Sequence, residues 1–240
     1  MLEIAVFNIG SAIAAAAAGA DRLELCENPQ EGGTTPSYGC LKLVREKIRI
    51  PVFPIIRPRG GDFLYSDAEF EVMIHDVRLC KELGFEGIVI GLLLPDGNID
   101  IPRTKKLVDL AYPLEVSFHR AFDRCADPFK GLEDVIEAGC SRILTSGQVP
   151  NAMDGKDLIR QLVEKAADRI IIMPGSGVRS SNIKELADYT GAVELHSSAR
   201  KNEASAMQFN QPGMKENMEQ TNVDRDEIRR MKQALLQIFN

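Results

Sequence analysis

Three short segments of the chain alternate apolar side chains with carboxylate or imidazole side chains. They span residues 23–26, 114–119 and 193–196. Because successive side chains of a strand point to opposite faces, the polar members of each segment would share one face. A histidine and a carboxylate whose surroundings push their pKa values apart can act as general base and general acid. The candidates predicted for acid–base chemistry are Glu24, His119, Asp123, Glu194 and His196.

Two glycine-containing loops carry residue types that hold an anion. The loop Arg57-Pro-Arg59-Gly-Gly-Asp62 places two guanidinium groups beside glycines, and guanidinium groups bind carboxylates and phosphates through paired hydrogen bonds. The loop Pro174-Gly-Ser-Gly-Val178 precedes a predicted helix, where backbone N–H groups can approach an anion. Glycines also serve tight turns, so a structural explanation of each loop stays open. The expected anion-binding residues are Arg57, Arg59, Asp62, Ser146, Gly175, Ser176 and Gly177.

An apolar run, a turn and a longer amphipathic stretch recur from the start of the chain to about residue 200. Strands that alternate with helices predict parallel βαβ units. Eight such units in about 200 residues favour a closed barrel over an open doubly wound sheet, and no G-x-G-x-x-G motif follows the first run to favour a dinucleotide-binding sheet. The fold class predicted is therefore α/β, a single (β/α)8 TIM-type barrel over 1–240 with a C-terminal helix. The predicted strands are Glu3–Phe7, Arg22–Cys26, Val52–Arg57, Gly87–Leu92, Leu114–His119, Arg142–Ser146, Ile170–Met173 and Val193–Ser197.

Capping residues and the tail complete this prediction. Thr35-Pro36 and Asp127-Pro128 each place a capping side chain before a proline suited to the first helical position. Residues 200–224 are polar and without periodicity, which predicts a mobile loop, and residues 226–239 predict a closing amphipathic helix.

Strand alternation also predicts which polar residues face the barrel interior. An unpaired charge there would cost many kcal/mol, so these residues are expected to form one connected network. The network is either a set of internal salt bridges or a functional site, since barrel enzymes work at the C-terminal ends of their strands. Arg57 ends the third strand, and the other residues predicted to face inward are Glu24, Cys26, Glu115, Ser117, His119, Glu194 and His196.

Composition and charge exclude several classes of function. A net charge of −6 with both signs scattered disfavours a nucleic-acid or anionic-membrane partner. No secretory leader or long apolar span is visible, and five widely spaced cysteines predict no disulfide framework. We therefore expect a cytoplasmic protein that acts on a small molecule or an ion.

Several motifs, in order along the chain, resemble those of the CutC family, historically named for copper homeostasis. The resemblance covers about residues 1–200, and the tail beyond it matches poorly. It implies a TIM-like barrel, a cytosolic setting, a homodimer or larger homo-oligomer, and copper binding or copper tolerance. The motifs are Gly19–Cys26, Gly32–Ser37, Ile56–Phe63 with Tyr65-Ser66, Phe118–Asp123, Arg142–Gly147, Met173–Gly177 and Glu194–His196.

The residue types themselves divide between copper and acid–base chemistry. Cu(I) prefers clustered thiolate and thioether ligands. Cys26 alone lies at a predicted strand end and is the expected copper ligand, with Cys125 as a second candidate. The carboxylates, imidazoles and arginines instead suit a small anion, or a divalent ion such as zinc or manganese. Three hypotheses stay open: a copper-binding homeostasis protein, an acid–base enzyme for a small phosphorylated or carboxylated metabolite, and a non-catalytic binding barrel.

Overall fold

All eight apolar runs form strands in the computed structural model, which describes residues 1–209, 211–215 and 217–236. Seven of the eight begin within one residue of the predicted start and end one to three residues before or after the predicted end, and the last begins two residues late and ends as predicted. The strands are β1 Leu2–Val6, β2 Arg22–Leu25, β3 Val52–Pro54, β4 Gly87–Ile90, β5 Glu115–Phe118, β6 Arg142–Thr145, β7 Ile171–Pro174 and β8 Leu195–Ser197.

Each of these strands is followed by an α-helix. Asp127 caps α5 through its side chain, as predicted, whereas Ser37 rather than Thr35 caps α2, because Thr35 instead accepts the Arg57 backbone N–H. Short 3-10 helices lie at Pro29–Glu31, Arg120–Arg124 and Pro212–Met214. The α-helices are α1 Ile9–Ala18, α2 Tyr38–Lys47, α3 Asp67–Glu82, α4 Ile101–Ala111, α5 Pro128–Glu137, α6 Lys156–Ala166, α7 Ile183–Thr190 and α8 Arg225–Leu236.

The strands are parallel and make a (β/α)8 barrel in chain order. Two ladders carry it, β3-β2-β1-β8 and β4-β5-β6-β7. A parallel bridge between Ile55 and Val89 joins the ladders, with the Ile56 N–H donating to the Val89 carbonyl at 2.8 Å. Outward side chains such as Leu23 and Leu25 are fully buried under the helices. The packed apolar layer therefore leaves the inward, polar positions for the barrel interior.

The tail differs from the predicted loop. Its two ends pair as antiparallel strands, β9 Arg200–Glu203 and β10 Gln220–Val223, ahead of α8. Asn8 fixes this ribbon to the barrel by donating to the Thr221 carbonyl at 3.1 Å. The last residues of the predicted helix, 237–239, lie outside the described residues. No helix in the described part of the chain is long and apolar enough to cross a membrane.

Candidate functional site

Four charged side chains pair in the lower part of the barrel, toward the N-terminal ends of the strands. Arg22 donates to Glu3 through Nε and to Glu194 through Nη2, the latter at 2.6 Å. Arg142 Nε lies 3.2 Å from the same Glu194 carboxylate. Since buried charges are tolerated when they are paired and hydrogen-bonded, two arginines and two carboxylates stabilise each other here.

Phe53 of β3 lies between the two arginines. Its ring centre is 4.9 Å from the Arg22 guanidinium carbon and 5.2 Å from that of Arg142. Gly87 of β4 makes room for the ring, because a Cβ at this position would lie 2.4 Å from it. The aromatic ring therefore separates two like charges while offering each a favourable cation–π contact.

His196 connects this lower network of arginines and carboxylates to the layer above it. Its Nδ1 lies 2.7 Å from Glu3 Oε1, and its Nε2 lies 3.7 Å from Glu24 Oε2. Burial lowers the pKa of His196, but the Glu3 hydrogen bond and the charges of Glu24 and Glu3 outweigh burial and raise it. Burial opposes ionisation of Glu3 as well, yet His196 and Arg22 hold the pKa of Glu3 at about 2. The contact therefore favours the protonated imidazole of His196 beside the ionised carboxylate of Glu3.

The pKa of Glu24 is shifted in the opposite direction from that of Glu3. Burial raises the pKa of Glu24 to about 7; His196 opposes this rise and the negative Glu3 adds to it. A carboxyl group with a pKa near neutrality can both accept and release a proton at physiological pH. Glu24 and His196 therefore have the properties of an acid–base pair.

A cavity of about 680 Å³ opens above this pair, at the C-terminal ends of the strands. Glu24 and His196 lie on its floor together with small or apolar side chains such as Ala5 and Leu144. The charged side chains around the cavity are mostly basic, which favours an anionic ligand. The arginines are Arg57, Arg120, Arg124, Arg179 and Arg200, and the other carboxylates are Glu31 and Asp123.

The loops after β7 and β8 form one side of this cavity. Ser197 Oγ donates to the Val178 carbonyl at 2.7 Å and so joins the two loops. The backbone N–H groups of Gly177, Val178 and Ser198 make no hydrogen bond to another described residue. Gly177 has φ +69°, and a Cβ there would lie 2.6 Å from the Asn151 side chain. The loop therefore requires glycine for its conformation and offers N–H donors to an anion.

The chain matches the CutC family over residues 1–201. It belongs to the CutC family. Two family proteins CutC, from Chromobacterium violaceum and Salmonella paratyphi A, are 52% and 49% identical over 214 residues, covering 89% of this chain and 87% and 86% of theirs. A solved CutC structure from Streptococcus agalactiae, whose name refers to copper homeostasis, is 34% identical with a TM-score of 0.78 and covers 82% of this chain and 98% of that one.

In this CutC protein the predicted acid–base residues fall into three places. Glu24 and His196 lie together on the cavity floor, and His119 lines the cavity wall. Glu194 lies below them and pairs with Arg22 and Arg142. Asp123 touches the cavity, but its carboxylate accepts hydrogen bonds from Thr145, Ser146, Gln148 and Arg120. The carboxylates of Glu194 and Asp123 are therefore hydrogen-bonded to other protein groups, which favours a structural role for both.

Glu115 does not face the interior as predicted. It begins β5 at the bottom of the barrel, where its side chain is 55% exposed and bonds Arg142 at 2.5 Å. The alternation that placed it inward is correct for Ser117 and His119, which are buried. The first residue of a strand lies at the rim, and there alternation no longer decides burial.

The predicted anion loop after β3 has its own internal partners. Arg57 donates to the carbonyls of Glu31, Gly33 and Gly61 at 2.6, 2.7 and 2.9 Å, and so fixes two loops at the cavity rim. Arg59 bonds Asp62 and Glu69 and does not line the cavity. The two arginines therefore do not form the paired anion grip that the sequence suggested.

The remaining predicted anion-binding residues differ in access to the cavity. Ser176 and Gly177 line it, whereas Gly175 packs beneath His196, with a Cβ there 3.1 Å from the imidazole. Ser146 is buried and bonded to Asp123 and Arg120. Ser176 and Gly177 are thus the members of this set in a position to meet a ligand.

Cys26 lies in surroundings that oppose formation of its thiolate. Burial and the charges of Glu24 and Glu3 raise the pKa of its thiol well above the ordinary value, which disfavours the thiolate that binds metal. Cys125 is buried elsewhere, against Asp127 and Gln148. The described residues contain no group of three or more His, Cys, Asp or Glu side chains placed to hold a metal ion. The described residues therefore do not gather a site of three or more such ligands around Cys26.

Sequence reasoning missed the residues that organise the floor. Glu3, Arg22 and Arg142 were inside predicted strands, and alternation in Leu2-Glu3-Ile4 already places Glu3 opposite two apolar neighbours. The basic mouth was missed for another reason. Arg120 and Arg124 lie at the two ends of a short 3-10 helix, Arg179 lies in a loop and Arg200 begins β9, and no periodic pattern assigns a direction to such positions.

Proposed function

We propose that this CutC protein is a barrel enzyme that carries out acid–base chemistry on a small anionic metabolite. The observation that carries the proposal is the buried Glu24–His196 pair, with 3.7 Å between carboxylate and imidazole, beneath a cavity with a basic mouth. Perturbed titratable groups at the base of a cleft are typical of catalytic sites.

The roles follow from the directions of the two pKa shifts. His196, whose pKa Glu3 raises, would donate a proton, and Glu24, with a pKa of about 7, would accept one. The ligand's anionic group would lie against the loops after β7 and β8, near Arg179 and Arg200. Barrel enzymes commonly bind phosphate with these two loops, which supports this orientation.

Titration calorimetry with inorganic phosphate tests the binding half of the proposal. Saturable binding to the wild type is expected, weakened roughly tenfold or more in Arg179→Gln by the loss of one charge-assisted hydrogen bond. Arg160→Gln is the matched control, because Arg160 lies on α6 and pairs with Glu164 outside the cavity. Absence of saturable phosphate binding to the wild type, or equal loss in both variants, would contradict the proposal.

A carbon-13 titration of the Glu24 carboxyl group tests the catalytic half. The structure predicts a midpoint near neutrality that moves when phosphate binds, because the added negative charge disfavours a second one nearby. A midpoint at the ordinary carboxyl value would remove the acid–base role.

Copper handling is the second candidate function, and the name of the Streptococcus agalactiae relative is what favours it. In that case copper(I) would be cargo, and Cys26 the residue to hold it. Competition for Cu(I) against a chelator, under reducing conditions, compares wild type with Cys26→Ser and with Cys140→Ser, another buried cysteine. Tight binding lost in Cys26→Ser alone would establish this function, and binding indifferent to Cys26 would remove it.

A further inference from the structure

His119 has a fixed orientation in the cavity wall. Its Nδ1 accepts the Ala121 backbone N–H at 3.1 Å, which caps the 3-10 helix Arg120–Arg124. Gly91 of the loop after β4 makes room for the ring, since a Cβ there would lie 2.3 Å from two of its atoms. The imidazole is only 4% exposed. Both its position and its hydrogen-bonded edge are therefore set by the backbone.

The hydrogen bond to Nδ1 also fixes the tautomer of His119. Burial and the nearby charge of Arg57 lower the pKa of His119 to about 3, so the ring is neutral at physiological pH. Because Nδ1 accepts a hydrogen bond, the single ring proton must be on Nε2. His119 is thus a neutral N–H donor, whereas the pKa of His196 is shifted in the opposite direction.

The Nε2–H donor of His119 has no partner among the described residues. A second buried donor close by, Nε of Arg57, has none either. The two residues face the same aromatic ring: the Phe63 ring centre is 4.9 Å from the His119 ring centre and 4.9 Å from the Arg57 guanidinium carbon. All three residues line the cavity. One wall of the site therefore contains the buried Nε2–H donor of His119 without an acceptor, together with Arg57 Nε and the nearby Tyr65 hydroxyl, which make no hydrogen bond to a described residue either.

A buried donor without an acceptor costs free energy that a bound acceptor atom restores. A carbonyl oxygen accepts two hydrogen bonds and has no proton of its own. A hydroxyl oxygen brings a proton of its own, and His119 offers that proton no acceptor, because its Nδ1 already accepts the Ala121 N–H. The wall therefore favours a carbonyl over the corresponding alcohol.

The geometry points to His119 as a neutral hydrogen-bond donor to a carbonyl oxygen of the ligand, which makes the substrate a small carbonyl compound with an anionic group. This inference rests on the proposed function, because the anionic group would be held by the loops after β7 and β8 in the same cavity. His119 lies on β5 and its 3-10 helix, across the barrel from His196 on β8. The carbonyl would thus lie between the donor wall and the acid–base pair.

Calorimetry with dihydroxyacetone phosphate and sn-glycerol 3-phosphate, which differ only in carbonyl against alcohol, tests this inference. We expect the wild type to bind the carbonyl compound roughly tenfold more tightly, the effect of one neutral hydrogen bond. His119→Asn should reduce this preference to about one, because Asn can keep the cap on Ala121 but cannot place a donor at the Nε2 position. His75→Asn, the same change at an exposed position of α3, should keep the preference.

Equal affinity of the wild type for the two compounds would overturn the inference, and so would an unchanged preference in His119→Asn. Failure to bind either compound would overturn it as well. Inorganic phosphate distinguishes these results from failure of the proposed function. Phosphate binding without carbonyl preference removes only the role of His119, whereas absence of binding by all three probes removes both.

Discussion

Glu3 and His196 are register partners across the β1–β8 pair as well as hydrogen-bonding partners, with 2.7 Å between Oε1 and Nδ1. The contact therefore joins the first strand of the barrel to the last. The Glu3 carboxylate also bonds Arg22, so the Glu3 side chain both orients the candidate catalytic imidazole and balances a buried guanidinium charge. Stability and the acid–base pair are thus coupled through Glu3.

Replacing Glu3 with Gln should destabilise the protein and lower the pKa of His196. The variant leaves a buried arginine short of one partner, which typically costs about 3–5 kcal/mol. It also removes the hydrogen bond and negative charge that raise the pKa of His196. Urea unfolding and nitrogen-15 titration of the imidazole measure the two effects. Glu164→Gln, in an exposed ion pair, is the control. An unchanged midpoint for His196 would refute the coupling.

Glu24 should make stability depend on pH with a definite sign. Its pKa in the folded protein, about 7, is above the ordinary 4.5, so the folded state binds the proton more tightly. Its stabilising contribution is therefore full below pH 4.5 and is lost as the pH rises through about 7. His196, Glu3, Cys26 and Arg22 surround this carboxyl group and set the shift.

Urea unfolding of wild type and Glu24→Gln across this range checks that sign. Gln cannot ionise, so the variant should gain stability relative to wild type as the pH rises. Glu71→Gln, at an exposed position of α3, should show a difference that does not change with pH. If the stability difference between wild type and Glu24→Gln were also independent of pH, the Glu24 carboxyl group would titrate normally.

Gly91→Ala should disturb His119 directly. The added Cβ would overlap the imidazole at 2.3 Å, and overpacking of this kind costs about 1–3 kcal/mol. The variant should also weaken any ligand contact made through His119, because the ring must move. Gly39→Ala is the control, since its Cβ meets nothing within 4 Å. Thermal melts and the nitrogen-15 shifts of His119 compare the two variants, and equal behaviour would contradict the close packing of Gly91 against the His119 ring.

Asp123→Asn should mainly lower the stability of the protein. The carboxylate accepts hydrogen bonds from several hydroxyl and backbone groups at the start of the loop after β6. An amide would direct N–H groups toward some of these donors, at a cost of about 1–3 kcal/mol. Asp109→Asn on the exposed side of α4 is the comparison. Unchanged unfolding with abolished phosphate binding would instead give Asp123 a direct ligand role.

Alternation and helix periodicity were sufficient to predict the barrel, because each strand carries a full outward apolar set such as Leu23 and Leu25. They also predicted that Glu24, His119 and His196 face inward. They could not predict that Arg57 is held by carbonyls of its own loops, because such contacts depend on loop paths that no period encodes. Nor could they predict that the pKa of His196 is raised and that of His119 lowered, because burial acts on both and the opposite directions come from Glu3 beside His196 and Arg57 beside His119, which are distant in sequence.

The Glu3–His196 contact spans 193 residues of chain, and this separation affects biosynthesis. At about 5–20 residues per second, Glu3 is incorporated roughly 10 to 40 s before His196. During that interval Arg22 can pair with Glu3, but β1 lacks its β8 neighbour and the polar interior lacks its imidazole. The closed barrel can therefore form only after nearly the whole chain has been translated, which makes its half-assembled forms candidates for chaperone binding.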